Sequence, residues 1–325
     1  MSEAEAAGGR LQLADMISFR FHLVSLVAVF LALGLGVLAG TTVLNKGIVT
    51  VLEAQTENLR EQSAELRARV ERLEGEARMW GAFGNAALDH LVSEALPGRD
   101  VILITQDGAD GAGVQGARGA LEEAGADLRA VLSVNRRMTL ERETDRQALA
   151  LALGTSGDDP GALQVQAAEA LAIRLAFGAS GETSDDDVLA GLMEAGFLVN
   201  QGPGLDGDAL QQLGGNGEVF VVVAGGPEDP TLTPGEFLVP LIRRLVLQGE
   251  AVAAAENLHS QYEFVGLLRG DGTVSDQMVT QDNIDQVPGE VGLVLALQGL
   301  LTNGHGGHYG VKGGASGAIP PPAGG

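Results

Sequence analysis

The run VFVVVA, Val219–Ala224, is the strongest strand signal in this chain of 325 residues. An unbroken run of β-branched and aromatic residues is typical of a central strand that helices cover on both faces. Working outward, the apolar runs Val101–Thr105 and Leu128–Val134 flank a helical segment, Val114–Ala124, and together they form a predicted βαβ unit. Further strands are predicted at Ala251–Ala255 and Met278–Thr280, and further helices at 142–153, 160–178, 185–195, 234–247 and 288–301. This alternation predicts a Rossmann-like, doubly wound, mostly parallel α/β head over residues 96–303.

A second apolar run, Phe21–Leu44, lies near the N-terminus and contains His22 as its one readily ionisable side chain. A helix of this length spans about 36 Å, which is enough to cross a hydrocarbon core of about 30 Å. A signal peptide is the alternative, but the run is longer than the usual apolar core of about 7–15 residues. We therefore predict an N-terminal arm (1–20) and one uncleaved transmembrane helix (21–44). The short arm favours a cytoplasmic N-terminus and an extracytoplasmic head.

Leucines recur every seven residues after this span, at Leu52, Leu59, Leu66 and Leu73. With these leucines at heptad position d, position a is filled by a second series: Val49, Thr56, Ser63, Val70 and Ala77. The pattern predicts a coiled-coil stalk over residues 45–95. Within the span, Gly36 and Gly40 form a small-xxx-small pair that lets two helices approach closely. These features predict a parallel homodimer, and the alternative is a single amphipathic helix that packs on its own head domain.

Charge and cysteine content exclude several classes of function. Lysine and arginine number 20 against 43 aspartates and glutamates, which gives a formal net charge of −23. Nucleic acid is therefore not an expected partner, because binding to its phosphates requires cationic patches. The absence of cysteine excludes disulfides, cysteine-ligated zinc, iron–sulfur clusters and thiol catalysis. Any transition-metal site must use histidine, carboxylate or backbone ligands.

The sequence GAGVQG, residues 111–116, matches G-x-G-x-x-G between the first strand and the first helix of the βαβ unit. A dinucleotide pyrophosphate could bind at the N-terminus of such a helix. Two features count against nucleotide binding: the second strand ends at Asn135-Arg136-Arg137 rather than at an acid, and residues 106–110 separate the first strand from the glycines. No nucleophile elbow, P-loop or H-E-x-x-H motif is present, so we predict no catalytic residues and no enzyme activity.

The segment HGGHY, residues 305–309, contains the densest group of potential metal ligands. The imidazoles of His305 and His308, with neighbouring backbone amides, could bind Cu(II) or Zn(II). The alternative is a surface tail in which histidine recurs by chance. Residues 304–325 are rich in glycine and contain three consecutive prolines, so this segment is predicted to be flexible.

Both ends of the chain resemble one known family. The family is the actinobacterial copper-transporter family MctB. Its N-terminal start is similar to residues 16–40, MISFRFHLVSLVAVFLALGLGVLAG. Its VDN…GGHYG ending is similar to residues 279–310, VTQDNIDQVPGEVGLVLALQGLLTNGHGGHYG. The resemblance implies a membrane-anchored cell-envelope protein linked to copper homeostasis, with copper as a possible ligand. Some members are instead known as SteB, which partners the membrane protein SteA in cell separation and peptidoglycan hydrolase control. A SteB-like, non-catalytic scaffold with a SteA-type partner is therefore the alternative function.

Overall fold

The computed structural model describes residues 4–179, 187–205, 207–226, 228, 230 and 232–321, and within these ranges the side chains of residues 19–40 and of residues from 51 onward. The chain divides into two compact units, Met1–Ala77 and Arg78–Gly325.

The first unit is formed by helix α1, which runs from Ala4 to Val92 and ends within the second unit. Its segment Phe19–Gly40 has 22 residues and a mean hydropathy of 2.5, and none of its side chains is buried in the protein. Length and composition suit a membrane-spanning helix, in agreement with the predicted span. Beyond it, the leucines at every seventh position (Leu52, Leu59, Leu66 and Leu73) are all exposed.

The second unit is built on a seven-stranded sheet in the part of the chain that the structure describes. In chain order the strands are β1 (Asp100–Gln106), β2 (Asp127–Val134), β3 (Leu198–Asn200), β4 (Val219–Ala224), β5 (Ala251–Glu256), β6 (Val279–Asp282) and β7 (Gly307–Tyr309). The spatial order is β3-β2-β1-β4-β5-β6-β7, and every neighbouring pair is parallel except β2 and β3. The predicted mostly parallel α/β architecture is thus confirmed.

Helices cover both faces of the sheet. In chain order they are α2 (Gly111–Glu123), α3 (Glu143–Ala152), α4 (Pro160–Phe177), α5 (Val188–Glu194), α6 (Asp208–Gln211), α7 (Leu238–Leu247), α8 (Phe264–Arg269) and α9 (Val287–Asn303). One apolar core lies under α2, α9 and the end of α1, and includes Leu121 and Leu297. A second core lies under α3, α4, α5, α7 and α8, and includes Leu171 and Phe237.

The central strand has the expected environment, since all six residues of Val219–Ala224 are buried between β1 and β5. The predicted βαβ unit is confirmed as β1, α2 and β2. The helix predicted from Asp185 is seen from Val188 onward, where Asp187 caps its N-terminus, and Asp185 and Asp186 lie outside the described residues. The edge strands β3 and β7 were not predicted, because three residues are too few to show an alternating pattern.

The C-terminal segment corrects one prediction. Residues 304–325 were expected to be flexible, yet Gly307–Tyr309 forms strand β7 and pairs with Val279–Gln281 of β6. The backbone N–H groups of Val311 and Lys312 then donate to the buried carboxylate of Asp282. Glycine content alone was misleading here, because several of these glycines allow the backbone to approach the sheet closely.

Candidate functional site

The two histidines of the predicted metal site occupy different environments. His308 lies in β7 opposite Thr280 of β6, and its Nδ1 is 2.9 Å from the Thr280 hydroxyl. That hydroxyl oxygen also accepts a hydrogen bond from Arg269 Nε at 2.9 Å, so the hydroxyl proton is available to His308 Nδ1. The hydrogen bond therefore favours the neutral imidazole of His308 with its proton on Nε2.

His305 is exposed and is arranged differently. Its Nδ1 lies 2.7 Å from the carbonyl oxygen of Asn303, and since a carbonyl only accepts, Nδ1 carries the proton. The Nε2 lone pair of His305 is then directed to solvent, which is the arrangement that metal-binding histidines commonly adopt. Among the described residues, no group of three or more histidine or carboxylate side chains is placed to bind a metal ion. The pair thus offers at most two imidazole ligands rather than a closed metal centre.

We expect the stability of the head to fall as the pH is lowered below about 6.5, in part because of His308. Burial, followed by the positive charge of Arg269, lowers the pKa of His308 below its ordinary value. Between that lowered pKa and the unfolded value, the unfolded chain binds more protons, so acid favours unfolding. The free energy of unfolding, measured from pH 7.5 to 5, should depend less on pH in His308→Asn than in the wild type. In the exposed-site control His305→Asn the pH dependence of the free energy of unfolding should equal that of the wild type. The same pH dependence in all three proteins would contradict a contribution of His308.

A buried ion-pair cluster lies beside this segment, at the carboxyl ends of β5 and β6. We define it as Glu256, Arg269, Asp282 and Lys312. Arg269 Nη2 lies 2.9 Å from Asp282 Oδ2, and both side chains are almost completely buried. Lys312 Nζ lies 2.7 Å from Glu256 Oε1, and the Glu256 side chain has no exposed surface. Two carboxylates are therefore each paired with a cation inside the head.

The cluster attaches the C-terminal segment to the sheet. Arg269 also donates to the carbonyl oxygens of Tyr309 and Gly313, at 2.7 and 3.0 Å. Lys312 Nζ donates to the carbonyl of Asn257 at 2.9 Å. Burial raises the pKa of Glu256, and the hydrogen bond from Lys312 opposes that rise. This cluster was not predictable from the sequence, in which its one visible signal is Lys312, one of only two lysines in the chain.

The glycine motif at the start of α2 serves packing within the protein. Asp110 caps the helix, since its Oδ1 accepts from the N–H of Ala112 at 3.0 Å and its Oδ2 accepts from Asn257 Nδ2 at 2.7 Å. A Cβ at Gly113 would overlap Asn257 Oδ1, and one at Gly116 would lie 2.7 Å from both Glu290 Oε1 and the Ile284 carbonyl. The carboxylate of Asp110 thus occupies the helix N-terminus where a pyrophosphate would bind. This is a third argument against nucleotide binding, after the missing acid at the end of the second strand and the loop before the glycines.

Gly113→Ala should destabilise the head by about 1–3 kcal/mol, because the new methyl group would force the buried Asn257 away from Asp110. Gly111→Ala provides the matched control in the same motif, since a Cβ at Gly111 meets nothing within 4 Å. Urea unfolding of both variants measures the difference. Similar stabilities would contradict the packing role of the motif.

Comparison with known proteins finds one family whose sequence model covers the apolar span, the head and the C-terminal strand. A sequence model described as "Copper transport outer membrane protein, MctB" matches residues 16–320. The chain belongs to the MctB family. Proteins named Copper transporter MctB from Mycobacterium tuberculosis and Mycobacterium bovis are each 26% identical to it over 317 residues, covering 92% of this chain and 98% of theirs. The relative of the same name from Mycobacterium leprae is 25% identical over 323 residues, covering 94% of this chain and all of its own.

The family assignment confirms the resemblance drawn from the two ends of the chain. The match to residues 16–320 includes Phe19–Gly40 as well as the segment with His305 and His308. The matched relatives carry the name of a copper transporter, and the comparisons lend no support to the SteB-like alternative. A transporter name is in keeping with the prediction that the protein is not an enzyme.

Proposed function

We propose that this protein is a single-span membrane protein of the cell envelope that acts in copper transport or homeostasis. The observation that carries the proposal is the family match, which extends from the apolar segment of α1 to the C-terminal strand. One helix cannot enclose a pore by itself, because a pore needs several helices around a common axis. Copper movement would therefore require either several copies of this chain or a partner protein in the membrane.

The direct contact with copper is assigned to His305 and His308. Copper would be cargo rather than a resident cofactor, since two imidazoles without a third protein ligand among the described residues suit transient binding better than a permanent centre. His305 offers Nε2 without rearrangement. In His308 the metal would have to replace the proton on Nε2, after which Nδ1–H could donate to the Thr280 hydroxyl. His305 is therefore expected to contribute the larger share of the affinity.

Cellular copper content tests the function itself. Deletion of the gene in its native host should raise cell-associated copper several-fold, measured by elemental mass spectrometry, while zinc and manganese stay unchanged. The wild-type gene should restore the original copper level. Unchanged copper in the deletion strain, under copper stress as well as without it, would contradict a role in copper transport.

Copper titration of the purified full-length chain in detergent tests the role of the histidines. We expect Cu(II) binding in the wild type, weaker binding in His308→Ala and the weakest binding in His305→Ala. An affinity for Cu(II) weaker than about millimolar in the wild type would remove the pair from the mechanism. His259→Ala is the control for unspecific imidazole binding.

The orientation is proposed from the short N-terminal arm, which favours a cytoplasmic N-terminus and an extracytoplasmic head. Topology reporters fused to each terminus should give cytoplasmic activity at the N-terminus and extracytoplasmic activity at the C-terminus.

We further propose that α1 forms a parallel coiled-coil dimer stalk with a second copy of the chain. The next d position after the four exposed leucines is occupied by Trp80. Its side chain is 65% exposed and its ring contacts the ring of Phe83 edge to face. The register places Arg69 at g and Glu74 at the e position five residues later, which is the spacing of attractive pairs between parallel strands. Gly36 and Gly40 would provide the contact within the span, where a Cβ at either position meets nothing within 4 Å.

Disulfide crosslinking should report the dimer directly, because the chain has no cysteine. Leu66→Cys lies at d and should form a disulfide-linked dimer in oxidised membranes, since d side chains of paired helices face each other. Ala68→Cys, at the outward position f, is the matched control and should remain largely monomeric on a non-reducing gel. Equal crosslinking of the two variants would contradict the proposed seam.

The Rossmann-like, doubly wound description of the head is likewise a proposal. It is supported by the order β3-β2-β1-β4-β5-β6-β7, in which the chain reverses its direction of winding between β1 and β4.

A further inference from the structure

Four basic side chains of the head stand apart from the rest. Of the 12 lysines and arginines in residues 81–325, eight lie within 4.0 Å of a carboxylate oxygen in the described structure. Arg99, Arg136, Arg142 and Arg244 form no such pair there. Acidic residues outnumber basic ones by more than two to one in this region, yet the exposed side chains of Arg99, Arg136 and Arg142 have no carboxylate oxygen within 4.0 Å in the described structure.

Arg136 and Arg142 line the same cavity. The cavity has a volume of about 320 Å³ and opens where β2 ends, between the helical turn Arg136–Thr139 and the start of α3. Arg137 and Thr139 line it as well, and Arg137 is bound to Asp145 at 2.7 Å. The volume lies at the lower end of the range for small-molecule pockets, about 300–1,000 Å³. Two exposed arginines that have no carboxylate partner in the described structure thus line one solvent-accessible cavity.

The charges around the cavity favour an anion. Glu141 and Asp145 also line it, but Asp145 is neutralised by Arg137, so the two unpaired arginines face the single free carboxylate of Glu141. Arg142 is the N-cap residue of α3 and makes no side-chain cap, while Glu143 and Asp145 in the first turn of α3 compensate the positive end of the helix dipole. The hydroxyl of Thr139 supplies a neutral donor.

We propose that this cavity binds the phosphate group of a small soluble phosphomonoester. Guanidinium groups bind phosphate through paired, charge-assisted hydrogen bonds. Two guanidinium groups suit a phosphate, which has three free oxygens, better than they suit a carboxylate, which has two oxygens and a single charge. The space beyond one phosphate leaves room for a small organic moiety of sugar-phosphate size. The site is separate from His305 and His308 and does not depend on the proposed copper function.

Calorimetric titration of the full-length chain, in nanodiscs of neutral phosphatidylcholine, tests the site with glycerol 3-phosphate as the probe. We expect saturable binding that falls at least about tenfold in each of Arg136→Gln and Arg142→Gln, and partial recovery in the two Arg→Lys variants. Arg99→Gln is the matched control, because it removes the same charge from an unpaired arginine at the opposite end of the strands and should leave the affinity unchanged.

Three results would overturn the proposal. The first is the absence of saturable binding while the melting temperature shows a folded protein. The second is an equal loss of affinity in Arg99→Gln, which would indicate unspecific charge attraction. The third is competition by acetate that is as effective as competition by phosphate, which would place the ligand in another chemical class. Binding that occurs only with phosphatidic acid in the nanodisc would likewise overturn it, because the ligand would then be part of the bilayer.

Discussion

Arg269→Met is expected to lower the free energy of unfolding of the head by about 3–5 kcal/mol. The substitution keeps the apolar part of the side chain but leaves the carboxylate of Asp282 without its cation, and Asp282 has no exposed surface. It also removes the hydrogen bonds to the carbonyls of Tyr309 and Gly313. Loss of one partner of a buried pair is costly because the remaining charge stays desolvated.

The matched control is Arg118→Met, which removes an arginine paired with Glu122 on the surface of α2, where the two side chains are 38% and 49% exposed. Water and salt screen such a pair, so the expected cost is below about 1 kcal/mol. Both variants are compared by urea unfolding of the full-length protein with pulse proteolysis as the readout. A loss in Arg269→Met as small as in the control would show that the buried cluster contributes little to stability.

Gly310→Ala is expected to destabilise the C-terminal segment strongly. Gly310 has φ +124°, which L residues rarely adopt, and a Cβ there would overlap the carboxylate of Asp282. Backbone strain of about 1–3 kcal/mol adds to an overpacking cost of about 1–3 kcal/mol. We expect the strand β7 to detach, with protease cleavage appearing near Tyr309.

Gly313→Ala, three residues away, is the control, since nothing lies within 4 Å of its Cβ position and no unusual φ is required. It should match the wild type in proteolysis and in thermal unfolding. If Gly310→Ala resists protease as well as Gly313→Ala does, the close packing of the C-terminal segment on Asp282 is not required in solution.

The sequence predicted the elements whose pattern is local. Val219–Ala224 was recognisable as a central strand because a buried parallel strand is apolar at every position. The apolar segment of α1 was recognisable because a membrane span needs about 20 consecutive apolar residues. The βαβ unit followed from a change between strand and helix periodicity within the run 100–134.

The roles of the polar residues could not be predicted in the same way. Glu256, Asp282, Arg269 and Lys312 come from different parts of the chain, and their pairing depends on β5, β6 and the C-terminal segment meeting at one edge of the sheet. Arg136 and Arg142 were visible as charges, but the sequence could not show that they lack carboxylate partners. Similarly, the burial of Asp282 at the end of β6 depends on the neighbouring strands of the sheet and has no local signal in the sequence.

The run VFVVVA and the alternation around it thus determined the fold class, because burial of apolar side chains follows rules that a single segment already displays. Tertiary structure alone decided that the glycine-rich C-terminus is part of the sheet and that Gly113 accommodates Asn257 rather than a pyrophosphate. It also separated His305, whose Nε2 is available, from His308, whose Nδ1 is occupied by Thr280. The physical reason is that hydrogen bonds and ion pairs depend on which distant atoms meet, and a one-dimensional pattern does not contain that information.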